Sequence, residues 1–210
     1  MSRFYKYINE GFKEDAINIE RLIKNDCKPY ISWLKRNKIK SYFTRNMKAL
    51  KDPFGSKFVR KDRESRGTDP ESFTIINNWL EKNGYVRRDE CVIATSKDRK
   101  IFGERYWIFP IGKFKYTYMS SSDFNSVSNW ELGSAREYSV VEDFLTGGVL
   151  NEEEIKLFFD VLEKNLHIKN PKLCFENKLE IWFGCEKYYY VDRNLMMSLI
   201  DNKVLKFKLL

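Results

Sequence analysis

The sequence contains a single histidine, four scattered cysteines and no long apolar run, and each shortage excludes a class of protein. With only His167, a zinc site built from several imidazoles is excluded, and a Ser-His-Asp triad is disfavoured because no serine or cysteine motif accompanies it. The cysteines form no C-x-x-C pair, so metal or redox spacing is absent and a reducing cytoplasm is the expected compartment. No run approaches the ~18 apolar residues of a membrane helix, and residues 1–10 lack the apolar stretch of a secretory signal.

The remaining composition favours a folded protein with a packed core. Of 210 residues, 42% are hydrophobic and 16% are aromatic, which suits one large domain or one domain with an appendage. The abundance of Lys, Asn and Tyr is compatible with an A+T-rich genome of viral or mobile-element origin, such as a phage. We therefore expect a cytoplasmic protein, or one of the host cytoplasm if viral, with no bound metal and no membrane contact.

Positive charge is concentrated in the first third of the chain. Residues 1–66 contain 18 Lys and Arg against 8 Asp and Glu, a net charge of +10, whereas the remainder carries a net charge of −2. Such asymmetry fits a face that binds a polyanion, and each phosphate neutralised would make binding sensitive to salt. A solvated basic helical surface is the equally supported alternative.

The N-terminal third has helical periodicity over residues 3–50, with aromatic and basic residues interleaved. The aromatic residues are Trp33, Tyr42 and Phe43. The candidate nucleic-acid-binding cations are Lys35, Arg36, Lys38, Lys40 and Arg45. Aromatic rings among cations can stack on bases while the cations hold phosphates. The rings can equally form the inner face of an amphipathic helix.

The rest of the chain alternates helical and extended patterns, which predicts an α+β fold. A turn cluster over residues 52–56 separates a basic helical segment, residues 1–52, from an α+β catalytic domain, residues 53–210. Asp69 and Pro70 open one predicted helix and Asn151 opens another. The predicted extended segments cover residues 57–61, 91–95, 105–118 and 137–144, a hairpin around Gly184, and residues 204–209, with a short helix over 195–200.

Three polar motifs, in chain order, suggest chemistry. Arg60 lies in the predicted strand 57–61, Thr95-Ser96 ends the strand 91–95, and Glu137 begins the extended stretch 137–144. A guanidinium can hold a pyrophosphate, hydroxyls can bind a ribose, and a carboxylate can stabilise positive charge developing on a sugar. Each motif also has a structural alternative, in which Arg60 pairs with Asp62 or Glu64, Thr95-Ser96 caps a turn, and Glu137 lies on an exposed strand.

The order of these motifs resembles the ADP-ribosyltransferase superfamily, in particular the arginine-first branch that includes cholera and pertussis toxins. The matching segments are Phe58-Val59-Arg60-Lys61-Asp62-Arg63, Ala94-Thr95-Ser96 and Ala135-Arg136-Glu137. The resemblance implies a split antiparallel sheet and cleavage of NAD as substrate. The residues it implies are Arg60 and Glu137 for catalysis, and Arg60, Asp62, Arg63, Thr95 and Ser96 for binding NAD. Apart from the resemblance, Tyr106, Phe102 and Trp107 each offer an aromatic face on which nicotinamide could stack, and Tyr106 is the one selected.

Two departures from the family pattern bear on the acceptor. Ala135 stands where arginine-modifying members have a second carboxylate. The expected acceptor is therefore another side chain of a protein, such as a host protein, or a nucleic acid or a target bound to one, and simple hydrolysis of NAD is a further alternative. Ala94 stands where the family has a serine, which weakens the match for NAD. The alternatives that stay open are a basic nucleic-acid-binding protein and a partner-binding protein, both without catalysis.

Overall fold

Helices and strands alternate along the chain in a computed structural model, which describes residues 16–65, 67–96 and 103–201. In chain order the elements are α1 (16–26), α2 (Lys28–Arg36), β1 (Thr44–Met47), β2 (Phe54–Phe58), α3 (Pro70–Lys82), β3 (Val92–Thr95), β4 (Glu104–Pro110), β5 (Lys115–Met119), a 3-10 turn (Val127–Asn129), α4 (Ala135–Thr146), α5 (Glu152–Asn165), β6 (Leu166–His167), α6 (Pro171–Glu176), β7 (Glu180–Gly184), β8 (Lys187–Asp192) and α7 (Arg193–Asp201). The predicted α+β class is confirmed, while a split sheet of ADP-ribosyltransferase type stays a prediction. None of the helices in the described ranges combines the length and apolar character needed to cross a membrane.

The chain divides into two compact units that do not follow its order. The first unit comprises Met1–Phe58, Asp98–Phe114 and Glu186–Leu210, and the second comprises Val59–Lys97 and Lys115–Cys185. The domain boundary predicted at residue 52 therefore falls inside the first unit. The basic N-terminal segment is part of a unit that also draws on the middle and the end of the chain.

In the first unit, four antiparallel strands are arranged in the order β2-β8-β4-β1. Helix α1 buries the stripe Ala16, Ile19 and Ile23 at helical spacing, and Cys27 and Tyr30 continue it into α2. The Tyr30 ring lies edge-on to Phe109 of β4, with centroids 6.3 Å apart. Burial of this stripe leaves the opposite side of both helices in solvent.

The aromatic residues of the N-terminal third belong to this core. Trp33, Tyr42 and Phe43 are only 8%, 3% and 0% exposed, and the Trp33 ring lies 5.6 Å from Phe114. Base stacking by these three rings is therefore excluded. The alternative, the inner face of an amphipathic helix, is confirmed for Trp33 of α2, whereas Tyr42 and Phe43 are buried in the segment between α2 and β1. The prediction of helix over residues 3–50 holds for α1 and α2 but is wrong for β1, and residues 3–15 lie outside the described ranges.

Helix α2 ends in a Schellman arrangement with a lysine where glycine is usual. Ile39 N–H donates to the Leu34 carbonyl at 3.0 Å and Lys38 N–H to the Lys35 carbonyl at 3.0 Å. Lys38 has φ +54°, in the left-handed region that disfavours a side chain with a Cβ. The buried Leu34 and Ile39 flank this turn, so the chain cannot relax there without losing core contact.

We expect Lys38→Gly to raise the free energy of unfolding by about 1 kcal/mol, because glycine adopts this conformation without steric penalty. Urea denaturation measures the change. Lys40→Gly is the matched control, since Lys40 is also exposed but is not in the left-handed region. Equal effects of the two substitutions would mean that the backbone of Lys38 is unstrained.

In the second unit, four further antiparallel strands follow the order β3-β7-β5-β6. Helices α3, α4 and α5 contribute to its apolar core. The core includes Ile76, Leu80, Met119, Val141, Leu145, Phe158, Leu162, Leu166 and Trp182. Met119 and Trp182 contribute from the sheet, so Tyr118, Ile181 and His167, which alternate with core residues along β5, β7 and β6, lie on the other face.

Local capping signals located two helices correctly. The Asp69 carboxylate accepts from Ser72 N–H at 2.9 Å at the start of α3, with Pro70 in the first turn. Asn151 and Glu154 form a reciprocal capping box at the start of α5. The predicted strands at β3, β4 and β5 and the helix at α7 are also confirmed.

Three predicted extended elements are wrong. Residues 137–144 lie within α4, because Val140, Val141, Phe144 and Leu145 form its buried helical stripe. The hairpin around Gly184 does not form: β7 pairs with β3 and β5, whereas β8 pairs with β2 and β4. The strand predicted over 57–61 ends at Phe58, so Arg60 lies beyond it. The strand predicted over 204–209 lies outside the described residues.

Candidate nucleic-acid interface

Arg60, the first residue of the predicted catalytic pair, lies in an exposed local ion pair. Its Nε donates to the Asp62 carboxylate at 3.2 Å, and the two side chains are 72% and 80% exposed. The hydrogen bond to Asp62 raises the pKa of Arg60, and the same bond lowers the pKa of Asp62. Water screens such a pair strongly. The structural alternative for Arg60, pairing with a neighbouring carboxylate, is confirmed.

Glu137, the second residue of that pair, has a capping role at the start of α4. Its carboxylate accepts from Gly133 N–H, and its own N–H donates to the Ser134 hydroxyl at 3.2 Å. The Ser134 hydroxyl caps α4, and the Glu137 carboxylate binds the backbone of the residue just before that cap. The expectation that Glu137 begins a strand is therefore wrong.

Three of the residues predicted to bind NAD form hydrogen bonds to nearby backbone groups of the protein. Thr95 ends β3 as predicted, and its hydroxyl donates to the Lys178 carbonyl at 3.3 Å, while the Ser96 hydroxyl donates to the Phe175 carbonyl. Tyr106 belongs to the first unit, where its ring is buried and its hydroxyl accepts from Leu50 N–H at 2.9 Å. A buried ring cannot stack on nicotinamide. Arg63 is half-buried in the second unit.

The two units differ more in net charge than the first third of the sequence differs from the remainder. The first unit has 23 basic and 11 acidic residues, a net charge of +12, and the second has 15 basic and 19 acidic residues, a net charge of −4. The first unit gathers its excess from three separate parts of the chain. Any polyanion is therefore attracted to the first unit rather than to the second.

Cations of the first unit line the solvent side of α1 and α2. The helical path is nearly continuous, since Cys27 N–H donates to the Ile23 carbonyl and Ile31 N–H to the Cys27 carbonyl, both at 3.0 Å. At 3.6 residues per turn, positions 21, 24, 28 and 35 fall on one face, opposite the buried stripe, over about 21 Å of helix. The exposed cations on and beside this face are Arg21, Lys24, Lys28, Lys35 and Arg36.

The row continues into the turn after α2. Lys38 and Lys40 are exposed on either side of the buried Ile39. We call Arg21, Lys24, Lys28, Lys35, Arg36, Lys38 and Lys40 the basic ridge. Four of the five predicted cations belong to it, whereas Arg45 is half-buried on β1 opposite Tyr106.

Sequence reasoning missed the part of the basic ridge that lies on α1. Arg21, Lys24 and Lys28 recur at intervals of three and four residues, a spacing that would have found them. Lys24 forms an ion pair with Glu20, one turn earlier on α1. Like charges at these spacings oppose each other by a few tenths of a kcal/mol per pair. A helix that keeps them on one face points to an external anion.

Comparison with protein-family models, with curated proteins and with solved structures finds no match to this chain. Within the described ranges, no group of three or more His, Cys, Asp or Glu side chains is arranged to hold a metal ion. NAD cleavage and partner binding stay predictions from the sequence. The first unit combines a net charge of +12 with a row of exposed cations on α1 and α2.

Proposed function

We propose that the first unit binds double-stranded nucleic acid through its phosphates, with the basic ridge as the contact surface. The observation that carries the proposal is the placement of cations along one exposed helical face of a unit with a net charge of +12. A duplex presents one negative charge per about 1.7 Å of its axis. A row of cations along about 21 Å of helix therefore meets several phosphates at once.

The burial of the aromatic rings favours a duplex, rather than a single strand, as the nucleic acid that the first unit binds. Proteins that bind single strands combine a basic groove with exposed aromatic rings on which bases stack. Here Trp33, Tyr42 and Phe43 are buried in the core beneath the cations. The basic ridge thus presents cations but no aromatic ring on which a base could stack. Such a surface suits contact with the phosphate backbone, which does not depend on the base sequence.

Stabilisation of the helix by its own charges explains only part of the ridge. Lys35 and Arg36 lie in the last turn of α2, where cations interact favourably with the helix dipole. Lys24 lies in the last turn of α1 and pairs with Glu20, so it also has a structural role. Arg21 and Lys28 lie outside the last turn of either helix, where the dipole does not favour a cation, and they favour the phosphate contact.

We expect an alanine variant of Arg21, Lys28, Lys35 and Arg36 to bind a short fluorescent DNA duplex about 100-fold more weakly than wild type in low salt. Each phosphate contact contributes about 0.9 to the slope of log affinity against log salt, so the variant's slope should be shallower by about 3.6. Fluorescence anisotropy between about 50 and 200 mM salt measures both quantities. Thermal unfolding checks that the variant is folded.

A matched control removes the same charge from the first unit outside the ridge. Lys48, Lys51, Lys113 and Arg193 are exposed there, and their combined alanine variant has the same net charge as the ridge variant. We expect this control to keep most of the wild-type slope. Equal losses in both variants would assign binding to net charge alone, and no duplex binding by wild type would overturn the proposal.

A further inference from the structure

The single histidine has a serine partner at the edge of the second unit's sheet. Ser120 Oγ lies 2.7 Å from His167 Nε2, and both side chains are half-buried. The two residues are 47 positions apart in the chain, so no local sequence motif indicates that they form a pair. Pairing of β5 with β6 sets Tyr118 opposite His167, and the next residue on the same side of the chain is Ser120.

Neighbouring contacts hold the pair in place. Ser120 N–H donates to the Asn165 carbonyl at 2.8 Å, which extends the pairing of the two strands by one step. The Tyr118 ring lies 5.0 Å from the imidazole ring, and its hydroxyl donates to the Lys169 carbonyl at 2.8 Å. These bonds orient the serine backbone and fix one side of the imidazole, as a positioned base requires.

We propose that Ser120 and His167 form a nucleophile–base dyad that hydrolyses small carboxylic esters. Ser120 Oγ bonds to the carbonyl carbon of the ester while its proton passes to His167 Nε2. The bond from carbon to the alcohol oxygen then breaks, and the same proton leaves with the alcohol. Water attacks the resulting acyl-serine, gives its proton to His167 and releases the acid, and the serine recovers its proton from the imidazole.

The surroundings of the dyad favour an apolar acyl group. Ile168 and Leu173, on either side of the turn that follows β6, are 51% and 44% exposed. Helix α6, which carries Leu173, packs against β5. Ile168 adjoins His167 in the chain, and such exposed apolar side chains give a short alkyl chain a surface to cover, so a short acyl group is the substrate chosen for the test. The dyad and the basic ridge lie in different units, so this activity is independent of nucleic-acid binding.

The test uses a fluorophosphonate reagent and 4-nitrophenyl butyrate on the full chain. We expect one equivalent of label, mapped to Ser120 by peptide mass, and loss of that label in Ser120→Ala. Because general base catalysis contributes about 10²–10⁴-fold, His167→Ala should lower ester hydrolysis at least 100-fold. Added imidazole should partly restore His167→Ala, which a purely structural histidine would not allow.

Ser128→Ala is the matched control, because Ser128 is an exposed serine of the same unit. It should be labelled and active like wild type, and thermal unfolding verifies that each variant is folded. An unlabelled wild type overturns the proposal, as does label that persists in Ser120→Ala. The basic-ridge variant should hydrolyse the ester at the wild-type rate, so failure of one proposal is separable from failure of the other.

Discussion

Glu180→Ala is expected to lower the free energy of unfolding by about 3–5 kcal/mol, because it leaves a guanidinium buried without its counter-charge. The Glu180 carboxylate lies 3.4 Å from the Arg88 guanidinium, and the two side chains are only 10% and 6% exposed. The same carboxylate oxygen accepts from Trp182 Nε1–H at 2.6 Å. Alanine removes both interactions, and urea denaturation measures the loss.

The surroundings of Arg88 explain why water cannot substitute for Glu180. Its guanidinium lies 3.8 Å from the centre of the Phe124 ring and 5.2 Å from that of Trp182. Its backbone N–H donates to the Asn77 side chain at 2.7 Å, which holds the residue in the interior. A cation between two rings gains from their faces, but this attraction is smaller than the penalty for an unpaired buried charge.

Two further variants separate charge from hydrogen bonding at this pair. Glu180→Gln keeps an acceptor for Trp182 but removes the charge, and adding Arg88→Met removes the orphaned cation as well. We expect the double variant to be more stable than Glu180→Gln alone, because replacing a whole buried pair is often neutral. Glu176→Ala, in an exposed ion pair with Lys172, is the control and should change stability by less than about 0.5 kcal/mol. Comparable losses at both positions would contradict the argument.

Phe158→Ala is expected to lower the free energy of unfolding by about 3–5 kcal/mol, the usual range for removing a buried aromatic ring. Phe158 of α5 is fully buried, and its ring stacks on Phe144 of α4 with centroids 4.0 Å apart. It also meets the Phe159 ring edge-on at 5.1 Å. Alanine removes the ring from among these neighbours, so we expect the change to leave a cavity between two helices of the second unit.

Ile155→Ala, one turn earlier on α5, is the matched control for this substitution. Ile155 is 37% exposed, so shortening it removes apolar atoms without opening a cavity, and we expect a loss below about 1 kcal/mol. Guanidinium denaturation of both variants gives the comparison. If Phe158→Ala loses no more than the control, α4 and α5 are not packed through this ring.

Helix starts were the part of the fold most readable from the sequence. Asp69 with Pro70, and Asn151 with Glu154, bond to backbone groups within three residues, so the chain needs no distant partner to reveal them. Ser134 and Glu137 carry the same kind of signal. The resemblance instead predicts a catalytic glutamate at the start of a strand at this position, whereas these residues begin α4.

Strand pairing was the part that local patterns could not supply. The segments around Gly184 alternate as a hairpin would, yet each strand has two neighbours far away in sequence. Pairing partners are chosen by which apolar faces meet in the core, and that information is distributed over the whole chain. The partnership of Ser120 with His167 was missed for the same reason.

The amino-acid sequence by itself determined the mixed class of the protein, the boundaries of its well-capped helices and the excess of cations near its start. These properties follow from composition and from contacts within one or two helical turns. Only the tertiary structure decided that Trp33 is buried while Lys35 faces solvent, and that Arg21, Arg105 and Arg193 belong to one unit. Burial depends on which elements pack together, and packing depends on side chains that are distant along the chain.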